Sequence, residues 1–275
     1  VLTAIIFVAI LPHVGVVLTS VSEVGQWYRS VLPREYTGAH FAGALSHPLA
    51  VGSIRNSLFY ASMAVVIDLG LGLLIGYLVV RTDLRGRHLL DGLAMAPLAV
   101  PGLVMAFGYT AMTLRWPFGP GDPLEGVLDV IGAEPNPMPL LIIAYAVRRM
   151  PYVVRATAAG LEQTSCDLEE AALNLGAGRL RAVRTILMPL IAANLIAGGL
   201  LAFSFAMLEV SDSLILAQRE AHFPITKAIY VLFERLGDGQ HIASAMGVWA
   251  MALLAVTLIG ASMMLGRRMG ALFRI

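Results

Sequence analysis

The sequence predicts an all-α integral membrane protein with six transmembrane helices. Three observations carry this. Hydrophobic residues make up 58% of the 275 residues and charged residues only 13%, against about 25% charged in a soluble domain, and the mean hydropathy is +0.78. The apolar residues fall in stretches long enough to cross a bilayer, which takes about 20 residues of helix. They lack the alternation of a membrane barrel, and lipid leaves unpaired backbone groups no other partner, so the spans are helices. The net charge of +1 gives no electrostatic case for nucleic acid. A single cysteine, Cys166, excludes an internal disulfide framework and a Cys-rich metal site.

Five stretches qualify as spans, residues 2–21, 57–80, 92–114, 186–208 and 243–265. A sixth, 138–154, is interrupted by Arg148, Arg149 and Pro151. It reads as a span with a charged cytoplasmic end, the alternative being an interfacial helix. Without it the termini would lie on opposite sides, against the charge pattern. Lys and Arg set that pattern. Segments 81–91, 148–185 and 266–275 hold twelve of the nineteen basic residues, among them Arg81, Arg148, Arg149, Arg155, Arg267, Arg268 and Arg274. Segments 22–56, 115–137 and 209–242 hold the other seven and eleven of the eighteen acids. The first group is expected to face the cytoplasm, with both termini inside. The chain starts at Val1 with a span almost at once, without a basic leader or small-residue cleavage site, unlike a plain signal peptide. Either leading residues precede it or it is excised from a longer polypeptide. No internal repeat is visible, so 1–275 reads as one transmembrane domain.

Between the spans lies a charged stretch, 167–189, reading DLEEAALNLGAGRLRAVRTILMP. Residues 167–176 read as one short helix. Asp167 is the expected N-cap, with Glu170 at N3 as in a capping box. Glu169 and Glu170 suit the positive end of the helix dipole. Leu168, Ala171, Ala172 and Leu175 form one apolar stripe. Gly176 stands where a helix wants a left-handed residue. Pro189 marks the start of the fifth span. Gly198 and Gly199 in it are expected to permit close packing, against a partner copy among other possibilities.

The spacing Glu170-Ala171-Ala172, Gly176, Ile186 and Met188-Pro189 resembles the cytoplasmic coupling signature of ABC-transporter permeases of the type I importer class. Met188 stands where many members have Leu. The segment from Phe203 to Ala217 is similar to the ferric-iron, molybdate, sulfate and polyamine branches, and Pro224 to Tyr230 most resembles the ferric-iron type. The resemblance covers roughly residues 55–265. It implies a coupling helix that docks in a cleft of a separate ATP-binding subunit, present in two copies. It assigns that role to Glu170, Ala171, Ala172 and Gly176, with Ile186 and Pro189 behind them and Asp167 and Glu169 opening the helix. It also implies a second permease copy or fused half and a periplasmic or lipid-anchored substrate-binding protein. The setting is the inner membrane of a bacterial or archaeal cell. ATP and Mg belong to the partner subunit, and this chain is expected to bind no cofactor. The implied substrate is ferric iron, with polyamine, phosphonate or an oxyanion as alternatives.

Other candidates are less specific. Asp68 lies inside an apolar span beside Gly70, Gly72 and Gly76; an intramembrane acid is either on the substrate path or a buried structural group. Pro97 and Pro101 can break the third span, lining a cavity or making a packed kink. Glu209, Asp212, His222, Asp238 and His241 are outward-facing ligand types without tight metal spacing; binding-protein docking or solvation is the expected role, a direct metal site the lesser alternative, and Glu209 and Asp212 are also candidates for the pathway. His13, His40, His47 and His88 read as structural. No catalytic triad, zinc motif or phosphate-binding loop is present, so the chain is expected to be no enzyme. The competing class, an ion-driven secondary transporter, predicts paired broken helices and midplane charges; only Asp68 fits, and it leaves 167–189 unexplained.

The orientation is testable through the only thiol. A membrane-impermeant maleimide should label Cys166 in inverted vesicles and not in intact spheroplasts. Labelling from outside would reverse the topology.

Overall fold

Lipid obliges each span to satisfy its own backbone, and the described residues are helical almost throughout, with one isolated antiparallel bridge between Ser22 and Tyr36. The computed structural model describes residues 2–27, 30–131 and 135–272, the side chains of 264–272 excepted. Val1, Arg29, Glu134 and Arg274, and the side chains of Arg267 and Arg268, lie outside the described residues.

Helix α1 (Leu2–Val21) packs on α2 (Ala39–Ser46) and on α12 (Gly239–Leu272). The 34-residue α3 (Pro48–Arg81) starts where the His47 ring accepts from the Leu49 N–H at 3.2 Å and Pro48 occupies the first turn. Then come α4 (Arg87–Ala99), α5 (Gly102–Thr113) and α6 (Met138–Glu162). Short helices α7 (Asp167–Asn174) and α8 (Arg179–Ala182) lead into α9 (Met188–Met207), followed by α10 (Ser211–Leu216) and α11 (Ile225–Glu234). Four helices are long and apolar enough to cross a membrane, Leu2–Val21, Pro48–Arg81, Arg179–Met207 and Gly239–Met263; the bent α4–α5 pair makes up to five.

Three expectations change. Residues 92–114 are not one helix: α4 and α5 meet at 105°. Pro97 lies inside α4 and Pro101 caps α5. The residue before a proline is pushed out of the helical region, and Val100 is extended at φ −91°, ψ 129°. The fifth span is longer than 186–208. It runs from Arg179 to Met207 through a π-helical turn, Val183–Leu187. Pro189 lacks an N–H and its ring crowds the carbonyl of residue 185, and the widened turn ends two residues before it. The stretch 138–154 is not among the described helices apolar enough to cross a membrane, and most of it is enclosed by the rest of the bundle. It belongs to the 25-residue α6, which packs on α3, α9, α4, α10 and α5. Protein, rather than lipid, surrounds this helix, which is why its sequence can afford two arginines.

The tightest packing joins α6 to α3. Gly72 faces Val153, and Gly76 faces Thr157; a Cβ at either glycine would come within 2.7 Å of the opposing side chain. Both contacts step forward together along the two helices, so they run parallel. On the other side, α9 crosses α6 antiparallel: Gly160 abuts Ile191 and Asn194, and Gly198 abuts Ala156. Gly198 and Gly199 therefore pack within this chain, Gly199 facing Leu69 and Val65 of α3.

Because overpacking a fitted contact costs about 1–3 kcal/mol, Gly72→Leu should lower the thermal midpoint of the purified protein. Gly70→Ala, whose Cβ would meet nothing within 4 Å, should leave it unchanged or raise it slightly.

Candidate functional site

Two groups of residues stand out, one at the end of the bundle and one inside it. The first is α7 with its flanks. Its start differs in detail from expectation. Asp167 is the first helical residue rather than the cap; the Ser165 hydroxyl accepts from the Asp167 N–H at 3.1 Å and donates to its carboxylate at 2.9 Å. The reciprocal partner expected at Glu170 is absent from that pair, and Glu170 is exposed. Glu169 instead turns inward, 9% exposed, and accepts a hydrogen bond from the Tyr77 hydroxyl of α3. Arg81, at the end of α3, donates to the carbonyls of Leu161 (2.9 Å) and Thr164 and contacts the Cys166 sulfur. Tyr77 carries no local sequence signal and Arg81 reads only as one of the basic residues, since their partners lie 80 or more residues away.

The end of α7 is as expected. Gly176 has φ +86°. Its N–H donates to the Leu173 carbonyl at 2.9 Å, and the Ala177 N–H donates to Ala172 at 3.0 Å. Those two bonds form a Schellman motif, which needs the left-handed residue. The apolar stripe does not pack on this chain: Ala172 is buried, but Ala171 is exposed, Leu168 is 46% exposed and Leu175 89%. Leu180 beyond it is also exposed. Ile186 is half-buried in the π turn and Pro189 is exposed.

The second group is a buried charge cluster. Arg148 grips Asp212 with two bonds, Nε at 3.0 Å and Nη2 at 3.2 Å, and donates from Nη2 to the Gly102 carbonyl at 3.1 Å. Arg149 pairs with Glu209, which also lies 3.5 Å from the Arg148 Nε. The Glu209 carboxylate accepts from the Ser211 N–H at 3.1 Å. Tyr145 and Ser213 share a hydrogen bond of 2.7 Å beneath them. Gly102 lets this happen, because a Cβ there would sit 2.3 Å from the Ser211 hydroxyl. The cluster thus ties the start of α5, beside Pro101, to α6 and α10.

Two sequence-based assignments are corrected here. Arg148 and Arg149 do not stand at a solvated helix end; they lie near the middle of α6, Arg148 buried and Arg149 half-buried. Glu209 and Asp212 are not outward-facing docking or solvated acids, being 4% and 0% exposed. These four charges pair with one another inside the bundle and carry no information on orientation. Asp68 is 0% exposed, and neither of its oxygens has a hydrogen-bond partner. Pro97 is buried in α4. His241 stacks on His40 with ring centroids 4.8 Å apart, and His40 Nε2 bonds the Ser22 carbonyl at 3.0 Å. Among the described residues no three His, Cys, Asp or Glu are grouped to hold a metal ion.

Residues 68–270, which contain both groups, match the family described as binding-protein-dependent transport system inner membrane component. The chain belongs to that family. It is 29% identical over 214 residues to the ferric transport system permease protein FbpB of Actinobacillus pleuropneumoniae, a match covering 75% of this chain and 28% of that protein. The chain thus spans about a quarter of the length of the ferric relatives it matches, a second from Haemophilus influenzae being matched over 26%. It is 30% identical over 221 residues to the molybdenum transport system permease protein ModB of Escherichia coli (strain K12), covering 75% of this chain and 90% of that protein. Its fold is similar to a chain of a bacterial alginate ABC transporter solved with an alginate pentasaccharide-bound periplasmic protein: TM-score 0.68, 19% identity, covering 98% of this chain and 92% of that one. These relatives are transport system permease proteins, and the chain is a helical, multi-pass membrane protein of the type I ABC permease fold. Membership in this family displaces the secondary-transporter alternative, although the broken α4–α5 pair and the buried charges are features that class would share.

Gly176 gives a local test. A β-branched residue at φ +86° is strained by about 1–2 kcal/mol. Gly176→Val should reduce transport while the permease still inserts, whereas Gly178→Val, at φ −69°, should be milder.

Proposed function

We propose that this permease forms half of the translocation pathway of an ATP-driven importer and takes its drive from two separate ATP-binding subunits through α7. The exposed stripe Leu168, Ala171 and Leu175 carries this reading. A short helix anchored inward by Glu169, closed by a Schellman turn and presenting leucine to solvent is shaped to dock as a rigid knob. Arg179, Arg181 and Arg184, exposed beside it, offer cations to acids on the docking subunit. Asp167, Glu170, Ala171, Ala172 and Gly176 form the knob; Ile186 and Pro189 join it to α9. ATP and Mg are held by the partner subunits. The other half of the pathway is a second copy, a related chain or the remainder of a longer polypeptide. A periplasmic or lipid-anchored binding protein delivers the substrate from outside, with both termini of this chain in the cytoplasm of a bacterial or archaeal cell.

The substrate we propose is ferric iron, supported by the similarity to ferric permease proteins. The molybdenum relative, matched over nine tenths of its length, favours an oxyanion as the second reading. Reconstituted with its ATPase and binding protein, the permease should import radiolabelled iron(III) only when ATP is present. ATP-dependent uptake of molybdate without iron would select the second reading instead.

Glu170→Arg places a cation at the positive end of α7, costing about 0.3–1 kcal/mol, and alters the docking face. That variant should lose binding-protein-stimulated ATP hydrolysis and uptake while the binding protein alone still binds substrate. Wild-type rates would remove α7 from the coupling role.

A further inference from the structure

Asp68 is a carboxylic acid wholly enclosed by the bundle, with two oxygens that bond to nothing. A buried polar group without a partner is disfavoured, so its retention needs an explanation. The α3–α6 register supplies a neighbour. Gly72 faces Val153 and Gly76 faces Thr157; one turn earlier the same register sets Asp68 beside Arg149. The Arg149 Nε is also buried and unpartnered, while the terminal nitrogen Nη2 is engaged by Glu209. Glu209 keeps other partners if Arg149 leaves, namely Arg148 and the Ser211 N–H. Asp68 has none to replace it among the described residues.

We infer that Asp68 is the alternate acceptor for Arg149: the guanidinium exchanges from Glu209 to Asp68 when the α9–α10 link shifts against the α3–α6 pair during transport. The inference rests on the importer reading for its setting. In the state described here Arg149 bridges α6 to the residues after α9. In the other state it bridges α6 to α3 and loosens one of the ties on α9–α10, which Arg148 still holds through Asp212 and Glu209, so no charge is left unpaired. Asp68 and Arg149 are then positioning residues for the conformational change, touching no substrate.

The test uses the whole complex in proteoliposomes, each arm a ratio to wild type, whose own ATP-dependent uptake tests the importer reading separately. Asp68→Asn keeps the shape and removes the charge; it should lower uptake at least about fivefold. Asp68→Glu keeps the charge but crowds the seam, and should retain more uptake than Asn. An aspartate held for shape alone gives the reverse order. Asp68→Asn combined with Arg149→Gln should fall no further than Arg149→Gln alone, because the pair is already broken. Wild-type uptake by Asp68→Asn, the reversed order, or losses that multiply in the double variant would overturn the exchange. If Asp68→Asn does not insert, Glu209→Gln decides through amide hydrogen exchange. With Asp68 the remaining charged acceptor for Arg149, α10 in the resting complex should exchange as fast as in nucleotide-trapped wild type, and nucleotide should add nothing. A full wild-type response to nucleotide in that variant would equally sink the proposal.

Discussion

The parallel seam between α3 and α6 is the constraint on which the rest of the structure depends. Gly72 and Gly76 bring the two helices close enough for Val153 and Thr157 to fill the space a side chain would take. Close approach of this kind replaces the hydrophobic driving force that is missing between helices in lipid. Both functional groups hang from the seam. At its end, Tyr77 and Arg81 hold Glu169 and the carbonyls of Leu161 and Thr164. Toward its middle, α6 carries Arg148 and Arg149.

The charge cluster specifies position more than it adds stability. A buried ion pair roughly offsets its own desolvation, whereas losing one partner leaves an uncompensated charge and costs about 3–5 kcal/mol. Arg148 uses its planar fork on Asp212 and also donates to the carbonyl of Gly102, the first residue of α5 after the break. A broken helix is tolerated at membrane depth only where protein satisfies the freed backbone. The break at Pro101, the close approach at Gly102 and the acid at Asp212 are therefore one arrangement, although Gly102 and Asp212 are far apart in the sequence.

What could be read in the sequence was what is local. The extent of α7 and the left-handed Gly176 follow from spacing within ten residues, and both were legible. The N-cap was not: Cys166 takes that position without a side-chain bond, and the Ser165 hydroxyl one residue earlier accepts from the Asp167 N–H. The two prolines announced a break in 92–114, but not its angle, which depends on Gly102 meeting Ser211. Arg148 and Arg149 were misplaced for a physical reason: hydropathy registers a charge in water and a charge paired inside protein alike. Their acids lie about 60 residues on, beyond the reach of any periodicity. The same limit hid Tyr77 and Arg81, and it sent Gly198 toward a partner copy when Ala156 of this chain lies against it.

The connection between the two groups is mechanical. Glu169 is bonded to Tyr77 on α3, and Arg81 of α3 holds the end of α6. A load on α7 in its proposed docking role therefore reaches both helices of the seam together, and the glycine contacts keep them moving as one body. From Glu162 back to Arg149 is about 20 Å of helix at 1.5 Å per residue, with Pro151 the one proline inside it and the glycine contacts bracing it against α3 and α9. The other path from α7 runs through α8 into α9, and it passes through the π turn Val183–Leu187 ahead of Pro189. Such a turn is the point at which a helix most readily changes register. One path is an α-helix braced against α3 and the other passes through a π turn, so the two need not respond alike to the same load, and they meet where α9 runs past α6. Arg149 and Glu209 meet across that boundary, which makes their ion pair the contact most exposed to relative sliding of α9 against the seam.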